Sequence, residues 1–185
     1  KSLNIFVIVY TVILHDVFLA YCRILCSRGA TELGQNTSWA NLQALYLGYN
    51  EIGGEGAYGL GQNTTWCNLQ KLTLENNAIG AEGATSLGLN MTWTNLQELS
   101  LRGNWIGDEG AAGLAKNTGW NNLQILDLVD SRIRDKGAKG LAENTSWINL
   151  QILYLEGNSI CAEGATALSQ NTTWTYLQTL NLKSN

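Results

Sequence analysis

Residues 90–116 read NMTWTNLQELSLRGNWIGDEGAAGLAK, and residues 63–89 before them read NTTWCNLQKLTLENNAIGAEGATSLGL. The two lines align without a gap, so the chain copies a 27-residue unit. Moving outward, the full units are 36–62, 63–89, 90–116, 117–143 and 144–170, with a partial unit at 171–185. Trp39, Trp66, Trp93, Trp120, Trp147 and Trp174 mark them, and only Trp105 falls off the ladder. A fixed period of this length is the signature of a stacked repeat architecture.

The columns explain themselves physically. Leu-x-Leu alternation is a strand with one face buried. In 36–62, Leu45 and Leu47 point inward while Ala44, Tyr46 and Gly48 point outward. Asn50, Asn77, Asn104 and Asn158 follow each strand where the chain turns, and a stacked Asn there satisfies neighbouring backbone groups. Ser131 alone breaks that column. The Gly-Ala-x-x-Leu segment returns as a short helix, with Glu55, Glu82, Glu109 and Glu163 near its positive end. Asn63 and its equivalents are expected to end the helix in a left-handed cap. One unit cannot bury its own apolar face, so units must stack.

The prediction is an α/β solenoid, with a parallel sheet on one side and short helices on the other. At L-x-x-L-x-L-x-x-N-x-I the sequence resembles the leucine-rich repeat family. The continuation Ile106-Gly107-Asp108-Glu109-Gly110-Ala111 is similar to the ribonuclease-inhibitor-like subclass, including GALA effector repeats and the repeat regions of NOD-like receptors. The resemblance implies a right-handed horseshoe, sheet concave and helices convex, that binds proteins on its concave face inside the cell. The helix here is shorter than in that subclass, and the Asn-Thr-Thr-Trp turn is an addition.

The ends depart from the pattern. Residues 1–13 belong to an apolar segment, and 14–35 read as a degenerate or capping repeat. Leu14, Val17, Leu19, Cys22 and Ile24 fit the strand consensus, and Gly29, Ala30 and Leu33 complete it one residue late. A signal-peptide core over 3–14 and a gene-model artefact are the competing readings. The stop in mid-unit reads as a fragment of a larger receptor, effector or scaffold. An open last strand is an association hazard, so edge-to-edge self-association is a second expected mode.

Composition narrows the function. With 11 basic and 15 acidic residues the net charge is −4, against a general nucleic-acid partner. Twelve apolar residues are too few for a membrane span. A single His and four Cys without metal spacing suggest no metal, no cofactor and no catalytic pair. Cys22, Cys26, Cys67 and Cys161 read as free thiols of a cytoplasmic protein. Five Asn-x-Ser/Thr sequons, at Asn36, Asn63, Asn90, Asn144 and Asn171, raise the secreted alternative. Copying of one useful turn explains them as well.

Candidate partner-binding residues are the outward strand positions, because they vary while the frame is fixed. They are Tyr46, Tyr49, Lys71, Thr73, Glu75, Glu98, Ser100, Arg102, Ile125, Asp127, Val129, Ile152, Tyr154 and Glu156. Tyr46, Arg102 and Tyr154 are the expected anchors. The fixed columns, the six Trp and the Asn ladder, read as structural, and Gln43 with its equivalents as a further hydrogen-bonded ladder. The expected function is protein binding, not catalysis. Two alternatives are a GTPase activator resembling the Ran GTPase activator, through Arg132 or Arg134, and a secreted or surface glycan binder.

Overall fold

The computed structural model describes residues 15–21 and 25–185. Residues 1–13, Leu14, Cys22 and Ile24 lie outside them, with whatever was expected of each. Strands and helices alternate: β1 (Asp16–Phe18), α1 (Ser27–Gly34), β2 (Ala44–Tyr46), α2 (Gly53–Gly61), β3 (Lys71–Thr73), α3 (Gly80–Gly88), β4 (Glu98–Ser100), α4 (Gly107–Ala115), β5 (Ile125–Asp127), α5 (Asp135–Ala142), β6 (Ile152–Tyr154), α6 (Ala162–Ser169) and β7 (Thr179–Asn181). The seven strands form one parallel sheet in sequence order. Its register holds like columns together: Leu45 faces Leu72, Leu72 faces Leu99, and Leu99 faces Leu126. β1 joins the same sheet, with Val17 opposite Leu45. The result is an α/β solenoid.

The core is a continuous stack. Leu42, Leu45, Leu47, Ile52, Ala57 and Leu60 are fully buried, as are their equivalents in the next three units. Trp66, Trp93, Trp120 and Trp147 are fully buried with them, and the Trp66 and Trp93 ring centroids lie 6.4 Å apart. Trp39 is only partly buried at one end. Trp93 Nε1 donates to the Asn63 carbonyl at 3.2 Å, while the indole N–H groups of Trp66, Trp120, Trp147 and Trp174 have no such partner. Apolar burial, not the indole hydrogen bond, therefore holds this column.

The helices are poor helix formers, rich in Gly, and depend on packing. A Cβ on Gly83 would lie 2.5 Å from Ile79 Cγ2 and 3.0 Å from the Ala57 Cβ of the preceding helix. The Gly-Ala pair thus sets how closely successive helices approach. Two helix starts are capped from the unit before. Asp108 Oδ1 accepts from the N–H groups of Arg134 and Gly137 at 2.7 and 2.9 Å. Asp135 Oδ1 does the same for Cys161 and Gly164. Among the described residues, no helix is long and apolar enough to cross a membrane.

The expected left-handed Asn cap does not occur. α2 ends at Gln62 with φ −80°, in the right-handed region. Asn63 turns the chain through its side chain instead. Its Oδ1 accepts from Thr65 N–H at 2.9 Å and Trp66 N–H at 3.0 Å, and its Nδ2 donates to the Gly34 and Asn36 carbonyls, both at 2.8 Å. The amide thus bonds to two units at once, which a backbone cap would not achieve.

Candidate functional site

Two ladders fix the frame beneath the sheet surface. Asn77 Nδ2 donates to the Leu47, Leu74 and Glu75 carbonyls at 2.9, 3.0 and 3.1 Å, and its Oδ1 accepts from Asn50 N–H at 3.1 Å. Asn50, Asn104 and Asn158 repeat the donor pattern. The second ladder is the sequon column. Nδ2 of Asn90, Asn117, Asn144 and Asn171 each donates to two backbone carbonyls, 27 and 29 residues earlier in the chain. At Asn90, Asn144 and Asn171, which stand in sequons while Asn117 does not, that nitrogen would carry a glycan, so glycosylation there breaks the ladder. The Gln column is linked through its backbone: Gln70 N–H reaches the Gln43 carbonyl at 2.7 Å and Gln97 N–H reaches that of Gln70 at 2.7 Å.

The sheet's outer face carries the variable side chains. At the N-terminal end Phe18 stacks on Tyr46 and Tyr21 on Tyr49, with centroids 4.3 Å apart in both pairs. Strand pairing imposes this, because Phe18 and Tyr46 are register partners about 4.8 Å apart. Lys71 Nζ sits 5.6 Å from the Tyr46 ring centroid and 2.8 Å from Glu98 Oε2. Partial burial pulls the Lys71 ammonium down, but the bond and charge of Glu98 outweigh it, leaving its pKa raised. An open trough of about 340 Å³ runs beside this pair, lined by Asp16, Gln43, Gln70 and Gln97.

Further along, Ile125, Asp127, Ile152 and Tyr154 are half-buried neighbours. Burial raises the Asp127 carboxyl above its ordinary pKa, against the Val129 N–H that donates to it and the charge of Arg102. Glu156 Oε2 accepts from Asn181 Nδ2 at 3.0 Å, and Arg102 reaches Asp130 only at 3.9 Å. Tyr49 and Arg102 are exposed, while Glu75 and Glu98 are half-buried.

Three of the expected contact residues require correction. Thr73, Ser100 and Val129 are buried, at 7%, 4% and 5% exposure. They lie outside the hydrophobic core cluster. Short side chains on a tightly spaced sheet are covered by larger neighbours, so these three offer a partner little surface. Sequence reasoning also passed over Trp105 as merely off the ladder. It is 53% exposed, and the Arg132 guanidinium carbon lies 4.5 Å from its ring centroid. The signal was present, since positions 105 and 132 are one period apart.

Among the described residues, no three His, Cys, Asp or Glu side chains come together as metal ligands. Cys26, Cys67 and Cys161 are free and exposed. The family model described as "Leucine Rich repeat" matches residues 40–61, 67–88, 94–115 and 121–142. No curated protein sequence matches the chain. Among solved structures, a leucine-rich repeat protein of Leptospira interrogans is similar with a TM-score of 0.41 and 18% identity, over 91% of this chain and 54% of that one. The chain therefore spans about half the length of that protein.

Proposed function

We propose that this chain, whose matched repeats are leucine-rich repeats, is a protein-binding module that holds its partner on the concave face of its sheet. One observation carries the reading. The frame beneath the sheet repeats almost without change, while Tyr46, Lys71, Glu98, Asp127 and Tyr154 above it differ from strand to strand and remain accessible. Strands spaced about 4.8 Å apart backed by more widely spaced helices curve the stack toward its sheet. That curvature gathers the variable side chains around a partner. Tyr and Arg are common interface anchors, which favours Tyr46, Tyr154 and Arg102.

The strand–loop–helix unit supports the ribonuclease-inhibitor-like subclass. Three exposed free thiols and sequon amides committed to backbone bonds support a cytoplasmic setting. A partner captured by the whole chain through cross-linking tests the binding face. Tyr46→Ala and Tyr154→Ala are expected to weaken binding at least tenfold, and Tyr58→Ala and Tyr176→Ala, off the sheet, less than twofold. The reverse ranking would remove the concave face from consideration.

A further inference from the structure

The unit that breaks the Asn column also carries a concentration of positive charge. Arg132, Arg134, Lys136 and Lys139 follow Ser131 within eight residues, in a chain of net charge −4. The nearby carboxylates are already engaged. Asp108 and Asp135 accept from helix N–H groups, Glu109 pairs with Lys136 at 3.2 Å, and Asp130 faces Arg102 at 3.9 Å. Among the described residues, Arg132 and Arg134 form no ion pair within 4.0 Å, and both are exposed; the Arg134 charge acts on Glu109 from beyond that distance.

Arg132 is held in place by Trp105. The two occupy equivalent positions in adjacent loops, at the C-terminal ends of β4 and β5. Both have left-handed backbones, φ 53° for Trp105 and 60° for Arg132. Ala78, one unit earlier, has the same conformation at φ 53°, so the turn of the repeat sets this backbone and leaves the side chain free to vary. Two bulky side chains kept in that conformation, exposed and stacked on each other, do nothing for the core. A guanidinium lying on an indole keeps its N–H edge free for a carboxylate, and it is pre-positioned.

We propose that Trp105, Arg132 and Arg134 form a second anchor, on the loop rim beside the sheet, for an acidic segment of a partner protein. Charge complementarity selects the occupant: two unpaired guanidiniums favour carboxylates, which Arg binds in bidentate fashion. This rests on the reading of the chain as a protein-binding module, and adds a surface and a chemistry that the sheet face does not supply.

The test uses the whole chain and a 12-residue Glu-rich peptide, with a Lys-rich peptide and an oligonucleotide of equal charge as controls. Because five of the other Trp residues are buried and Trp39 is partly buried, Trp105 is the most exposed described Trp, and Trp39→Phe as the background makes acrylamide quenching report mainly on it. The Glu-rich peptide is expected to shield Trp105 from acrylamide and the Lys-rich peptide is not. R132E/R134E is expected to weaken Glu-rich peptide binding at least tenfold, and added salt to weaken it in the parent chain. The neutral pair R132Q/R134Q, expected to lose about as much, serves as a second variant should charge reversal disturb folding.

No shielding at 1 mM peptide, or equal binding by the variants, would overturn the proposal. Equal binding of the oligonucleotide would also overturn it, in favour of a general polyanion site. The two readings fail separately. Partner capture lost in Tyr46→Ala and Tyr154→Ala but untouched by R132E/R134E defeats the rim anchor and leaves the sheet face. The opposite pattern defeats the sheet face and supports the rim.

Discussion

The loops after β4 (101–106) and β5 (128–134) stand at equivalent places in adjacent units, yet they are built differently, and α5 starts one position later than α4. After β4, Asn104 is fully buried and donates to the Leu74, Leu101 and Arg102 carbonyls, and Gly107 opens the helix with φ 63°. After β5, Ser131 is as buried, but its hydroxyl reaches only the Val129 carbonyl at 3.2 Å and that of Leu101 at 3.5 Å. Arg134 stands in the Gly position with an extended backbone, and Asp108 caps the helix instead. One weakened turn is therefore tolerated because its neighbours and a borrowed carboxylate hold it. The lesson is that repeat stability is shared along the stack. A unit can give up a consensus residue where its surface has other work.

The largest expected effect breaks the comparison between buried and exposed tryptophan. Trp120→Ala should destabilise by about 3–5 kcal/mol, the usual cost of truncating a buried aromatic. Trp105→Ala, one loop away in space, should change urea stability by less than about 1 kcal/mol. Similar losses for both would show that Trp105 belongs to the core.

Next comes the Asn column itself. Asn77→Ala removes one donor from each of three carbonyls that keep another, and it leaves the buried Asn50 and Ile52 N–H groups without their acceptor. A buried unsatisfied group costs about 1–3 kcal/mol, so a loss of about 2–4 kcal/mol is expected by equilibrium unfolding. Ser131→Ala should lose less than half as much. Equal losses would mean that the two loops are energetically alike despite their bonds.

Restoring the consensus sharpens the contrast. Ser131→Asn should regain the missing donors and stabilise by about 1 kcal/mol, provided the loop keeps its path. A drop in thermal midpoint would show that Arg132 and Arg134 have reshaped the turn beyond repair by one side chain.

The smallest effect concerns Asp127. Burial raises its folded pKa, so its protonated form favours folding. That contribution is present below the ordinary Asp value of about 3.9 and is lost as pH rises through the folded pKa. Asp127→Asn should therefore be more stable than the parent chain at pH 7, with the gap closing on acidification. Urea midpoints at pH 7 and pH 4 measure it, and a gap that widens toward pH 4 would reverse the assignment.

Much of the fold was legible because residues 27 apart solve the same problem in every unit. Leu45, Leu72 and Leu99 must meet if any of them is to be buried, so the period alone implies their register. The role of Asn63 was misread because a left-handed cap and a side-chain turn leave the same mark in sequence, an Asn after a helix. The accessible site was only half legible. Alternation tells which side a strand residue faces, but not whether its neighbours cover it. Thr73, Ser100 and Val129 face outward by pattern and are buried by the size of what stands beside them.

The sequence by itself determined the repeating unit, the parallel sheet and the buried columns, since a self-similar chain can satisfy its apolar faces and backbone groups only by stacking on itself. The tertiary structure decided what the period does not encode. It paired Arg132 with Trp105, stacked Phe18 on Tyr46, committed the side-chain amides of Asn63, Asn90, Asn144 and Asn171 to earlier backbone carbonyls, and selected which variable side chains remain open. Those outcomes depend on side-chain size and direction between neighbouring units, and emerge only once the units lie about 4.8 Å apart along the sheet.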